Sequence, residues 1–248
     1  MKYAFYGEYG SIILPFDYDE QFPDLVFSFG GDGTMLGSIH KYKNQLETVK
    51  FVGINTGKLG FYTDFIIEDL NEICEMIKNE NYDIFSVNLM EYSLFNGTKE
   101  ISGIAVNDLV LINPVNTQIT EIYINDKHFE TIRGTGILLS PPGGSTAYNK
   151  SVGGSIIDPD LQALQLVEVA PISNRIYRSL SSPMVLSKKV KIELKPLITK
   201  NLYLTVDGEH IDIQDVESIS VKLSEKKVNF VVKKNTCFFD RVKRSFVN

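Results

Sequence analysis

Apolar runs broken by polar, Gly- and Pro-bearing stretches give the first outline of this chain. Residues 2–6 (KYAFY) and 25–29 (LVFSF) read as short strands, and a helical stretch is predicted from residue 35 to about 46. Residues 50–54 (KFVGI) form a third strand, followed by a Gly-bearing loop over 55–60. Residues 68–79 place Leu70, Ile73, Met76 and Ile77 on one helical face. Strands alternating with helices predict a parallel sheet of the nucleotide-binding kind. The 18 residues from position 7 to 24 carry Gly7, Gly10, Pro15 and Pro23, so they hold no ordinary crossover helix. That edge of the sheet is expected to be trimmed or covered by a neighbour.

The texture changes after about residue 82. Asn96-Gly97, Asn125-Asp126 and Asp207-Gly208 sit between β-rich runs as hairpin turns do. Residues 101–112, 118–124, 128–133, 189–195 and 202–206 suit strands, and 218–233 reads as a further pair. One helix is predicted here, at about 161–169, and residues 238–247 suggest a short amphipathic helix returning to the first domain. The predicted organisation is an α/β domain over residues 1–82, completed by about 234–248, and a mainly β domain over 83–233.

Composition narrows the class. The chain has 248 residues, with 25 Lys+Arg against 31 Asp+Glu and a net charge of −6. A hydrophobic share of 43% and a charged share of 23% are those of a globular protein with a sizeable core. The acidic balance argues against nucleic acid or an anionic membrane as partner. No apolar run approaches the length of about 18 residues that spans a bilayer. The start of the chain, interrupted by Glu8, Gly10 and Pro15, is not expected to act as a leader. Cys74 and Cys237 stand far apart with no metal-like spacing, so a reducing cytoplasmic location is expected.

Four segments carry candidate chemistry. Gly30-Gly31-Asp32-Gly33-Thr34 follows a strand and opens a helix, where backbone N–H groups and a helix N-terminus suit phosphate. A carboxylate at Asp32 repels such a ligand unless it meets a cation or accepts a proton; the competing reading is a tight turn with an N-capping Asp. It is neither a Walker A loop nor a GxGxxG fingerprint. The loop Asn55-Thr56-Gly57-Lys58-Leu59-Gly60-Phe61-Tyr62 either lines an adenine or nicotinamide pocket or packs its aromatics into the core. Residues 141–154 (PPGGSTAYNKSVGG) are dense in small and hydroxyl residues, which suits a polyhydroxylated ligand approaching backbone, or an ordinary crossover loop. Asn107-Asp108 interrupts the apolar run IAVNDLVLI and marks either a used polar pair or a β-bulge. His40, His128 and His210 are scattered and form no recognisable catalytic or metal-binding set, and no metal ligand is assigned.

These residues together resemble the NAD kinase family, in particular its short bacterial members. The GGDGT element, the NTGKLGFYTD loop, the Asn107-Asp108 pair, GGSTAYNKSVGG and the following APISNRIYRSLSSP occur in the family's order, and the likeness runs from about Leu25 to the C-terminus. GGDGT alone is shared with diacylglycerol-type lipid kinases and phosphofructokinases. The resemblance implies an α/β nucleotide-binding domain, a β-sandwich-like C-terminal domain and an active site in the cleft between them. It implies ATP-dependent phosphorylation of NAD at the adenosine-ribose 2′-hydroxyl to give NADP, with a divalent cation such as Mg²⁺, in a homodimer or homotetramer.

Carried over by position, Asp32 is the general base and Gly30, Gly31 and Gly33 hold phosphates. Asn107 and Asp108 fix the ribose hydroxyls or the nicotinamide side of NAD. Thr146, Ala147, Tyr148 and Ser151 hold adenine and its ribose, Phe61 stands at the pocket wall, and Ala170, from a neighbouring subunit, completes the pocket. The sequence departs from the family at Asp108, where Glu is common, at Thr135, where an Asp is common near the nicotinamide end, and at Lys58, where His is frequent. The alternatives are a non-catalytic dinucleotide sensor and a related lipid or sugar kinase.

Overall fold

The computed structural model of the chain describes residues 1–8, 10–57, 60–213 and 216–247. In chain order the first elements are β1 (Lys2–Gly7), β2 (Asp17–Tyr18), β3 (Leu25–Phe29), α1 (Asp32–Lys41), β4 (Lys50–Asn55), β5 (Phe65–Ile66) and α2 (Leu70–Lys78). There follow β6 (Asp83–Phe95), β7 (Glu100–Ala105), β8 (Leu109–Ile112), β9 (Gln118–Ile124), β10 (Lys127–Gly134) and β11 (Gly136–Ser140). A 3₁₀ turn at Pro142–Thr146 leads into α3 (Tyr148–Ser151), then β12 (Ala163–Val169), β13 (Met184–Ser187), β14 (Lys191–Pro196), β15 (Tyr203–Val206), β16 (Glu209–Ile211), β17 (Ser218–Val232) and α4 (Phe238–Val242). The chain divides into two compact units, Met1–Val87 with Lys226–Asn248, and Asn88–Glu225.

The first unit is built on parallel strands. β3 pairs with β1 on one side and β4 on the other, β5 extends β4, and residues 229–230 of β17 join β4 from the far side. β3 is buried along its whole length, as a central parallel strand must be to read as an uninterrupted apolar run. The outer edge of β1 takes the two-residue strand β2, which fits the short Gly- and Pro-bearing linker. One core joins Phe5, Phe27, Phe29, Val52 and Ile54 to Ile73 and Ile77 of α2. The predicted helix over 35–46 starts earlier and ends sooner, at Asp32–Lys41. The C-terminal residues belong to this unit, with α4 followed by a π-helical turn at Lys243–Val247.

The second unit is antiparallel. One sheet runs β13-β12-β11-β8-β15-β16, and a second set pairs β10, β9, β14 and the first half of β17. A single apolar core takes Leu109, Leu111, Leu139 and Leu166 from the first sheet and Ile122, Ile192 and Ile219 from the second. That shared core makes the unit a sandwich. The expected fold class, α/β followed by mainly β, is the one found.

Three local expectations are corrected. The helix predicted at about 161–169 is strand β12, paired with β11 on one side and β13 on the other. Its first six residues are buried, so it lacks the alternation that marks a half-exposed strand, and a continuous apolar run of this length does not separate strand from helix. The run 101–112 is two strands, with β7 pairing β6 and β8 entering the other sheet, so Asn107-Asp108 is a joint and not a bulge. The run 218–233 is one strand. Among the described residues no helix is long and apolar enough to cross a membrane.

Candidate active site

In the first unit, β3 delivers the chain to Gly30, whose N–H donates to Ile54 O at 2.9 Å, and α1 begins at Asp32. The N-cap position is Gly31, and no side chain caps the helix, so the N-capping reading of Asp32 does not hold. The Asp32 carboxylate instead accepts two backbone N–H bonds from the second Gly-bearing loop: Phe61 donates to Oδ2 and Tyr62 to Oδ1, each at 2.8 Å. Each oxygen keeps lone-pair capacity for a further donor.

The glycines of the first loop separate into two kinds. Gly30 lies at φ +153°, and a Cβ there would stand 2.2 Å from Thr34 Oγ1, so backbone conformation and packing require it. Gly31 and Gly33 are different: a Cβ at either would meet no atom within 4 Å. Packing does not ask for glycine at those two positions.

The loop that grips Asp32 is itself held. Asn55 Nδ2 donates to Thr63 Oγ1 at 3.1 Å, and the same hydroxyl accepts the Gly60 N–H at 3.0 Å. The rings of Phe61 and Tyr62 are buried, the latter stacked on Phe230 at 4.9 Å, so the aromatics pack into the core. The Phe61 backbone is engaged on both sides, its N–H on Asp32 and its carbonyl on a buried arginine.

From the C-terminal helix, the fully buried Arg241 donates to Phe61 O at 2.7 Å and pairs with Asp64; Arg244 donates to Gly60 O at 3.1 Å. Burial raises the Asp64 carboxyl above its ordinary range, opposed by the two arginines, and lowers the Arg241 guanidinium. Arg241, Arg244 and Asp64 were not foreseen as supports: on sequence, an Arg on a short amphipathic helix reads as a solvated charge. Lys58, noted as a departure, lies outside the described residues.

In the second unit, Asn107 and Asp108 occupy the joint between β7 and β8. The Asp108 side chain is buried, and burial first, then the charge of Asp207, pushes its carboxyl up to about 7. Gly144 packs against this joint, where a Cβ would come within 1.7 Å of Asn107 O. The block 143–154 divides by role. Ser145 and Asn149 are buried and brace the turn, with the Ile157 N–H donating to Ser145 Oγ at 3.0 Å and Asn149 Nδ2 donating to Ser145 O at 3.2 Å. Thr146 and Ala147 are half-buried, while Tyr148 and Ser151 are exposed. The four residues proposed to contact ligand are all accessible, as are Lys150 and Gly153 in the same turn.

Thr135 links β10 to β11, its N–H bonded to Val169 O at 3.0 Å and its carbonyl to the Asn113 N–H at 2.8 Å. Ala170, next along the chain from Val169, is exposed and holds φ +47°. That left-handed conformation is uncommon for a residue with a Cβ and concentrates at functional positions. Nearby, the Glu168 carboxylate accepts from Ser179 Oγ and the Ser181 N–H, and Glu130 accepts from the Leu180 N–H at 3.3 Å. Burial and the adjacent Glu168 push the Glu130 carboxyl up to about 8.

A strand-to-helix glycine loop with an anchored carboxylate, carried by a parallel sheet, defines a phosphate-handling enzyme of the α/β type. Residues 17–82 match the ATP-NAD kinase N-terminal domain family and residues 107–233 the ATP-NAD kinase C-terminal domain family. The chain belongs to the NAD kinase family.

Relatives include NAD kinase 1 of Bacillus anthracis, 42% identical over 231 residues, covering 92% of this chain and 87% of that protein. NAD kinase 1 of Listeria monocytogenes serotype 4b is 37% identical over 246 residues, with coverage of 98% and 91%. Two solved structures share the fold. Yeast NADH kinase complexed with NADH superposes with a TM-score of 0.81 at 22% identity, covering 89% of this chain and 66% of that one. An NAD kinase from Archaeoglobus fulgidus in complex with ATP gives 0.70 at 24%, covering 93% and 87%.

Proposed function

We propose that this NAD kinase, a phosphotransferase, moves the terminal phosphoryl group of ATP to the 2′-hydroxyl of the adenosine ribose of NAD, with Asp32 as general base. Asp32 takes the hydroxyl proton, the oxygen forms the bond to phosphorus, and the bond to ADP breaks. Phosphoryl transfer demands positioning and charge neutralisation more than covalent chemistry, so one oriented carboxylate is a sufficient base. The observation that carries the reading is the two-point backbone grip on the Asp32 carboxylate beside Gly31 and Gly33, which packing leaves unconstrained.

Asn107 and Asp108 are the groups proposed to hold the ribose hydroxyls or the nicotinamide side of NAD, with Thr146, Ala147, Tyr148 and Ser151 on adenine and its ribose, Thr135 toward the nicotinamide end and Ala170 completing the pocket. Gly31 and Gly33 approach phosphate; Gly30 supports them through its backbone conformation. Phe61 serves through its N–H on Asp32.

Among the described residues no three His, Cys, Asp or Glu side chains gather as a metal cage. Mg²⁺ carried mainly by substrate phosphates and waters fits a site with no preformed cage and needs no ligand role from Asp32. Such an ion neutralises phosphate charge. A homodimer or homotetramer is supported by the exposed apolar side chains of Ile172, Ile176, Tyr177 and Leu180, directly after Ala170. The lipid- and sugar-kinase alternative falls with the family assignment.

The test is NADP formation from NAD, MgATP and enzyme, coupled to an NADP-specific dehydrogenase, for wild type beside Asp32→Asn. Turnover is expected to fall about 10²-fold or more with NAD binding by calorimetry nearly intact. Equal loss of binding and turnover would remove Asp32 from the chemistry, and binding without turnover in the wild type would favour the dinucleotide sensor.

A further inference from the structure

The hairpin acid Asp207 reaches far beyond its own turn. Its carboxylate accepts N–H bonds from three consecutive residues: Val106 at 2.8 Å, Asn107 at 2.6 Å and Asp108 at 3.2 Å. Its own N–H donates to Asp108 O at 3.0 Å. Successive amides converging on one acceptor form the concave arrangement that proteins use to bind anions, and here the chain supplies the anion itself. A turn needs none of this. The Asn96-Gly97 hairpin spends its turn side chain locally, with Asn96 Oδ1 accepting from the Lys99 N–H at 2.9 Å.

The joint is also held from a second side. Ser140 Oγ donates to Asn107 O at 2.9 Å, and Gly144 approaches that same oxygen so closely that no side chain fits. The backbone of Asn107 therefore lies between Asp207 and the segment that leads into Thr146–Ser151 residues. A flexible joint between two strands entering different sheets is thereby given one conformation.

We propose that Asp207 is a positioning residue for the dinucleotide: it fixes the backbone of residues 106–108 so that Asn107 and Asp108 meet NAD together with the 146–151 segment. This rests on reading Asn107 and Asp108 as NAD contacts. Asp207 acts on NAD affinity and leaves ATP affinity alone. Preorganising the joint avoids the ordering cost that binding would otherwise carry. Substituting Asn at 207 leaves one carbonyl oxygen for three amides and turns an NH₂ toward N–H donors.

Asp207→Asn is compared with wild type in the coupled assay, with NAD and MgATP varied in turn. The expected result is a rise of about 10-fold or more in KM for NAD, with KM for ATP and kcat at saturating NAD within about threefold. A general structural role would move both KM values and the melting temperature together. Asn107→Ala and Asp108→Asn separate the two readings. If neither raises KM for NAD, the NAD-contact reading fails; if they raise it and Asp207→Asn does not, the positioning role fails. Should Asp207→Asn not fold, amide exchange of wild type decides: Val106, Asn107 and Asp108 are expected to be protected and slowed further by NAD. Exchange at open-loop rates would overturn the proposal.

Discussion

Arg241 offers the sharpest test of how the C-terminal helix supports the Asp32 loop. Its side chain is 1% exposed, pairs with Asp64 at 7% exposure, and donates to Phe61 O at 2.7 Å. Its guanidinium also lies 4.2 Å over the Phe85 ring. Truncation to Ala removes the main partner of a buried carboxylate and orphans a buried carbonyl. Removing one member of a buried pair typically costs about 3–5 kcal/mol, because the remaining charge is left uncompensated. Arg244, at 3.4 Å from Asp64 Oδ1, compensates in part, which places the expected loss near the lower end, at about 3 kcal/mol. For a chain of this size that is a fall of about 6–12 °C in Tm.

Arg241→Lys is expected to recover little, since an ammonium lacks the fork that serves Phe61 O and Asp64 at once. Arg241→Met combined with Asp64→Leu removes both charges and is expected to regain most of the loss. Because Phe61 and Tyr62 hold Asp32 through the same loop, kcat is expected to fall in Arg241→Ala at temperatures well below its Tm. Urea and thermal unfolding measure the first effects and the coupled assay the last. A loss below about 1 kcal/mol, or a double variant no better than Arg241→Ala, would refute the reasoning.

Three further outcomes are expected. Unfolded Asp108 ionises near its ordinary 3.8, while in the folded chain it keeps its proton to about 7. Its favourable contribution is complete below the first value and lost as pH rises through the second, on the order of 4 kcal/mol in all. Asp108→Asn should therefore gain Tm over wild type at pH 8 and match it near pH 4; a pH-independent difference would contradict this. Gly30→Ala should destabilise by about 1–3 kcal/mol through strain against Thr34, whereas Gly31→Ala should leave Tm unchanged and raise KM for ATP. Thr135→Asp should lower KM for NAD, and an unchanged value would show that the missing charge has no role there.

Much of the first unit was legible locally. β3 at Leu25–Phe29 and β4 at Lys50–Asn55 are continuous apolar runs bounded by Gly-bearing loops, and α2 follows its 3.6-residue apolar period. The order of Gly-rich motifs likewise pointed to the family before any geometry was known. The second unit resisted in places for a physical reason: β12 is buried by pairing on both edges and packing on its faces, which erases the alternation that distinguishes strand from helix.

Local pattern determined most of the elements and the Gly-rich segments that could meet a ligand, because side-chain period, turn chemistry and loop composition depend on near neighbours. The individual ligand residues came from the family resemblance. Tertiary structure alone decided which of those residues are held and by what. Asp32 meets Phe61 and Tyr62 across 29 and 30 positions, Asp207 meets Val106 across 101, and Arg241 meets Phe61 across 180. An acid in a hairpin and an arginine on a short helix look solvated on sequence, since nothing in their neighbourhoods encodes the buried amides and carbonyls that only folding brings to them.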